Sequence, residues 1–196
     1  MTQLKTVLHV GCGPRSAGII HPFFSGPGWK EIRVDIDPKA EPDIVASLTD
    51  LNPVTDNSMD GLYSSHNLEH LYPHEVQQGL NEFSRVLKPD GVALIAVPDL
   101  QEVAKLIAED KLDEPAYQSP AGPITPLDIL YGHRPSLAHG NLFMAHRTGF
   151  TQKTLVNAIL TAGFAWVMVA KDTSFGLWAK AYKSPPSKEV AEGPIW

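Results

Sequence analysis

A short β-branched run at residues 6–10, TVLHV, stops at Gly11-Cys12-Gly13. Glycines at such a strand end let the backbone turn tightly and approach a ligand closely. A second run at residues 31–35, EIRVD, closes on Asp35. Beside the first turn, a carboxylate in that place can accept hydrogen bonds from both hydroxyls of a ribose. The remaining chemistry lies in histidines. His66 follows residues 61–64, a run that reads as a further strand, and so stands where the carboxyl edge of a parallel sheet opens into a crevice. In its neutral form it could take a proton from a hydroxyl near neutral pH. His66, His70 and His74 recur at the spacing of ligands on one helix face. Pro73 interrupts that pattern, because a proline there starts a new helix. No metal site is therefore expected: Glu69 and His70 belong to a tight turn, and His74 is exposed.

A second group of histidines, His133, His139 and His146, lies beside Arg134 and Arg147 in YGHRPSLAHGNLFMAHRTGF, residues 131–150. For any one of them, a loop histidine bonded to backbone groups is the plainer reading. As a cluster they are expected to line a pocket or form a lid, with His133 and His146 as further candidates for catalysis and the arginines suited to an acidic or hydroxylated ligand.

The elements that must carry these residues alternate. Residues 6–10, 31–35, 44–46, 61–64 and 92–97 read as strands, the last fully apolar and bounded by a Lys-Pro-Asp-Gly turn and Pro98. Pro73 opens a helix whose Val76, Leu80, Phe83 and Leu87 form one apolar face. Asp99 can cap a helix to about residue 109, and Thr151 another that ends near Gly163. Between them, residues 111–149 lose periodicity and accumulate Pro, Gly and His, as a functional excursion would. Residues 165–170 and 177–182 are late strands joined by a link too short for a parallel crossover, so they must be antiparallel. The expected fold is α/β: a mostly parallel seven-stranded sheet with helices on both faces, a three-layer sandwich, closed by an antiparallel C-terminal hairpin. Residues 1–183 are expected to form one domain, with 111–149 as a lid on it and 184–196 as a tail.

With 196 residues and 43% hydrophobic content, the chain can bury a core of ordinary size. Its net charge of -6, with no cluster of Lys and Arg, argues against nucleic acid. Cys12 is the only cysteine, which rules out an internal disulfide and suits a reducing compartment. No signal peptide and no membrane span is read, so a soluble cytoplasmic protein is expected. Trp166 and Trp178 read as core residues. Trp196 could dock on the body of the protein or on a second subunit in a homodimer.

Four segments in order, VLHVGCGPRSAG (7–18), IRVDIDP (32–38), MDGLYSSHNLEHL (59–71) and FSRVLKPDGVALIAVPD (83–99), resemble the class I, Rossmann-like S-adenosylmethionine-dependent methyltransferases of small-molecule and sugar pathways. The resemblance covers about residues 6–100, and the closing antiparallel pair suits that fold better than a dehydrogenase. It implies S-adenosylmethionine as cofactor and methyl transfer to O or N of a small-molecule acceptor. It places Gly11, Cys12, Gly13 and Arg15 at the methionine part, Arg15 pairing with its carboxylate. It places Asp35 on the ribose, Ile36 on an adenine face, Ser47, Leu48 and Thr49 at the adenine edge, and Ser65 with His66 towards the transferred methyl. Two positions depart from the family: His9 stands where an acid is common, and Arg15 where a third glycine often stands. The alternatives are a fold relative that binds the cofactor without turnover, and an NAD-dependent dehydrogenase. The latter would need Gly at Ser16, and the chain has no Tyr-x-x-x-Lys pair.

Overall fold

The computed structural model describes residues 4–16, 20–192 and 195. Seven strands form one sheet: β1 (Lys5–Val10), β2 (Trp29–Asp35), β3 (Ile44–Val45), β4 (Met59–Ser65), β5 (Leu87–Pro98), β8 (Trp166–Lys171) and β9 (Gly176–Tyr182). Their order is β3-β2-β1-β4-β5-β9-β8. The first five run parallel, and β9 is antiparallel to both of its neighbours. The third strand is two residues long, shorter than its sequence run suggests. The fifth begins at Leu87, taking in the Lys-Pro-Asp-Gly segment that reads as a turn.

Parallel strands covered on both faces need continuous apolar runs, and β1 shows why residues 6–10 read as they do. Leu8 and Val10 face one side, where Val34, Leu62, Ala93 and Ile95 meet the helices α1 (Pro73–Val86) and α5 (Gln152–Thr161). Val76, Leu80 and Phe83 of α1 and Leu155 and Ile159 of α5 are buried there, so the predicted helical stripe is the packing face. Val7 faces the other side with Tyr63, Val92 and Leu94. That side is covered by a 3-10 helix, Pro22–Phe24, whose Phe24 packs edge-on against Trp29. Between β1 and β2 this is the only helical element among the described residues. At the end of α1, Arg85 fixes the connection into β4 by bonding Glu82 and the carbonyls of Leu51 and Val54.

After β5, Asp99 caps α2 (Leu100–Ala108). Residues 111–149 are not irregular, contrary to their lack of periodicity. They form a hairpin of β6 (Tyr117–Ser119) and β7 (Gly122–Ile124), then α3 (Pro126–Tyr131), α4 (Arg134–Ala138) and a 3-10 turn at Leu142–Met144. Helices of one or two turns are too short to print a 3.6-residue period. Side chains hold them instead. Thr125 and Asp128 form a reciprocal cap, and Arg134 bonds the buried Asp128 at 2.9 Å. Gly132, at φ +99°, lies so close to the Met144 carbonyl that any Cβ would collide with it. A small core of Val103, Ile124 and Ile129 ties the segment to α2.

The β8–β9 link is organised by Asp172, which accepts from the amides of Ser174 and Gly176 and from the Trp178 indole. Residues 184–196, expected as a plain tail, contain a short helix, α6 (Lys188–Glu192). Trp196 lies outside the described residues. Among the described residues no helix is long and apolar enough to cross a membrane.

Candidate active site

Strand order reverses between β1 and β4, the place where open α/β sheets bind ligands beyond the strand carboxyl ends. Val10 pairs with Val34 on one side and Ser64 on the other, so the residues following three strands meet at this edge. Gly11 and Gly13 both take φ +60°, the left-handed conformation that frees the chain to turn. Gly11 cannot be otherwise, because a Cβ there would overlap the Asn67 side chain. Asn67 in turn bonds the carbonyls of Val10 and Ser65, locking the ends of β1 and β4 together.

The turn is also held from below. Arg33, almost fully buried, donates to the Gly13 carbonyl at 2.6 Å. His9, standing where the family commonly has an acid, bonds Glu31 at 2.7 Å, and Glu31 lies 3.6 Å from Arg33. Burial lowers the His9 pKa despite the bond to Glu31. Asp35 accepts from the amides of Gly13 and Asp37, one on each oxygen, which leaves lone pairs for a ligand.

These residues open onto a cleft of about 480 Å3. Of the sequence candidates, Gly11, Gly13, Asp35, Ile36, Ser47, Leu48, Ser65 and His66 line it. Cys12, Arg15 and Thr49 do not. Cys12 is buried, with desolvation pushing its thiol up to about 11, and its amide continues the pairing to Val34. Arg15 is exposed and lies 3.6 Å from Asp43. Thr49 bonds the Ser47 hydroxyl. Asn67, which sequence reasoning missed, His70, read there as part of a tight turn, and Phe143, Met144 and Arg147, read there only as parts of the 111–149 excursion, also line the cleft. The last three come from the 111–149 segment and its end, and no local pattern ties that segment to β1.

A second cavity, of about 310 Å3, lies beside the first, between the β6–β7 hairpin, α3 and the β8–β9 turn. Its walls are mostly apolar, with Pro98, Ile124, Ile129 and Phe175 among them, and His133 and His146 face it. Arg134 is taken up by Asp128, Asp113 and Thr125. Arg147 stacks on Tyr72 and bonds the His70 carbonyl. His139 bonds Pro135 and is absent from both linings.

Both cavities are lined by His66, His70 and Met144. His66 takes φ +56°, an unfavourable conformation for a side-chain-bearing residue, of the kind that concentrates at functional sites. Its Nδ1 lies 3.2 Å from the buried Glu69 carboxylate. A carboxylate can only accept, so Nδ1 carries the proton and Nε2 is left free. Partial desolvation alone would lower the His66 pKa, but the bond to Glu69 and its charge outweigh this and raise it. His74 is exposed and stacks on Tyr72, apart from His66 and His70.

Residues 8–95 match the model of a methyltransferase domain. No curated protein matches the chain in sequence. The fold is similar to that of the Burkholderia thailandensis 1,6-didemethyltoxoflavin-N1-methyltransferase, solved with 1,6-didemethyltoxoflavin and S-adenosylhomocysteine, at 18% identity and TM-score 0.56 over 93% of this chain and 72% of that one. It is similar to a SAM-dependent methyltransferase from Methanosarcina mazei, at 18% identity and TM-score 0.60 over 93% and 94% of the two chains. Another from Archaeoglobus fulgidus gives 16% identity and TM-score 0.57 over 91% and 86%.

Proposed function

We propose that this chain is a class I S-adenosylmethionine-dependent methyltransferase, a reading that the domain match over residues 8–95 and the fold support, and that it methylates an O or N atom of a small, largely apolar acceptor held in the second cavity. The observation that carries this is the meeting of two cavities at His66, His70 and Met144. The cleft suits the cofactor in kind. Asp35 offers acceptor lone pairs for the ribose hydroxyls, and Ile36 and Phe143 offer exposed apolar faces for adenine. Ser47 and Leu48 stand at the adenine edge, and the Gly11–Gly13 backbone, Ser65 and Asn67 at the methionine end. Arg15 is given no part, because its guanidinium turns to Asp43.

When bound, the cofactor supplies an electrophilic methyl group and leaves as S-adenosylhomocysteine. The protein's work is alignment and exclusion of water. Ile124, Ile129 and Phe175 supply apolar walls for the acceptor, and His66, His70, His133 and His146 supply the polar groups that face it. As the new bond to the methyl carbon forms, the acceptor's proton passes to Nε2 of neutral His66. Glu69 fixes the ring through Nδ1. His133 and His146 line the same cavity and orient a polar atom of the acceptor. With Arg134 paired to Asp128 and Asp113, and Arg147 lining the first cleft and not the second cavity, the reading favours a neutral acceptor over the acidic one their sequence suggested. The 111–149 segment covers the acceptor side as a lid, and the lone cysteine suits a reducing compartment such as the cytoplasm.

The test has two parts. Calorimetry with S-adenosylhomocysteine and with NAD is expected to show binding of the first alone. Transfer from methyl-labelled S-adenosylmethionine to a panel of neutral hydroxy- and amino-aromatic acceptors is then expected. Binding without transfer to any acceptor would favour the non-catalytic reading.

A further inference from the structure

At the boundary of the two cavities, Glu69, His70 and His146 converge. One potential ligand atom from each lies within 4.8 Å of the other two. Glu69 is wholly buried, and only Oε1 is engaged, by His66. Its Oε2 has no hydrogen-bond partner among the described residues. A buried carboxylate oxygen without a donor is costly, and a cation is one group that relieves it.

The two imidazoles are oriented from behind. His70 Nδ1 lies 3.1 Å from the Ala145 carbonyl, and His146 Nδ1 2.7 Å from the Ile129 carbonyl. Carbonyls only accept, so each ring holds its proton on Nδ1 and keeps the Nε2 lone pair. Outer carbonyls impose this same tautomer on metal-binding histidines. The ring centroids are 4.9 Å apart, and both residues line the second cavity.

We propose that Glu69 Oε2, His70 Nε2 and His146 Nε2 bind one divalent transition-metal ion, of which Zn2+ is the best fit. Two imidazoles and a carboxylate suit Zn2+ with bonds of about 2.0–2.2 Å and an open fourth position. Mg2+ and Ca2+ prefer oxygen ligands throughout. The site differs from the His66, His70, His74 spacing in the sequence: it takes its third ligand from the far side of the 111–149 segment. An ion here would grip a hydroxyl oxygen of the acceptor. That role rests on the methyl-transfer reading, whereas ion binding itself does not.

The test titrates chelator-stripped full-length protein with Zn2+ by calorimetry and with Co2+ by visible absorption, with Mg2+ for comparison. One equivalent of Zn2+ is expected, with the intense visible bands of low-coordinate Co2+ and no saturable Mg2+ binding. His146→Ala, which removes a ligand itself, should weaken Zn2+ by at least about 100-fold, the upper end of the loss seen when only an outer partner of a ligand is removed, yet keep its affinity for S-adenosylhomocysteine. His74→Ala should bind Zn2+ as the wild type does. His146 carries the test because Glu69→Gln, in the core, is liable to unfold the protein. No saturable Zn2+ binding, or binding that His146→Ala leaves unchanged, overturns the site. Methyl transfer by protein that binds no Zn2+ overturns the ion and spares the methyl-transfer reading. Zn2+ binding lost in His146→Ala, with no transfer to any acceptor, supports the ion and counts against that reading.

Discussion

The two halves of the proposed active site are built by different means. On the cofactor side, turns at the ends of β1, β2 and β4 are set by neighbouring strands, and the ligand-facing groups are largely backbone or the first residues after a strand. On the proposed acceptor side, short helices and a hairpin with little core of their own are held by partly buried polar contacts: Asp128 with Arg134, His146 with the Ile129 carbonyl, and the Arg147 amide with the Glu69 carbonyl. A sheet fixes its edge through many cooperative bonds, whereas a side-chain network fails when one member is lost. The first half should therefore respond to mutation in ligand affinity, and the second in order and turnover.

The largest effect is expected where the halves meet. His66→Asn should lower turnover by about 10²–10⁴-fold, the usual loss for a general base, with far less change in affinity for S-adenosylhomocysteine. Wild-type turnover would pass the role to His133 or His146. Next comes Asp35→Ala, expected to weaken S-adenosylhomocysteine by about 1–3 kcal/mol, or about 5–150-fold. Because Asp35 also bonds Gly13, part of that loss should appear as loosening of the glycine turn, visible in amide exchange.

Within the acceptor half, Arg134→Ala leaves the buried Asp128 carboxylate without its cation. Arg134 is partly exposed, so solvent screening keeps the loss modest. Exchange across residues 122–134 should quicken while strands β1 to β5 keep their protection. Equal loosening of both halves would contradict the comparison. Burial by itself would raise the Asp128 pKa, but bonds from Arg134 and Thr125 outweigh it and carry the group well below its ordinary range. Its stabilisation is therefore present above the unfolded value, near pH 4, and is lost as pH falls through the folded one. Urea unfolding of Asp128→Asn should show a shallower acid limb than wild type. The smallest effect is Arg15→Ala, for which S-adenosylhomocysteine affinity should hold within about twofold, as for an exposed ion pair.

This contrast also explains what could be read from the chain alone. Asp35, Ile36 and the two glycines are legible because a strand end is a local event. Arg33 was hidden: its place in β2 is visible, but its reach to the Gly13 carbonyl depends on how β1 lies beside it. Asn67 and Met144 join the site only through contacts across the fold, and no spacing announces that Glu69 will meet His146. The proline and histidine content of residues 111–149 pointed to a special segment but not to its ordered hairpin and helices.

Met144 belongs to both cavities, and its carbonyl presses on Gly132, where no side chain fits. The two cavities thus share one wall. A substitution in residues 142–144 that admits a bulkier acceptor must also shift a wall of the cofactor cleft. Acceptor range and cofactor residence time are therefore inherited together, and descendants of this chain that widen one should be found to have retuned the other.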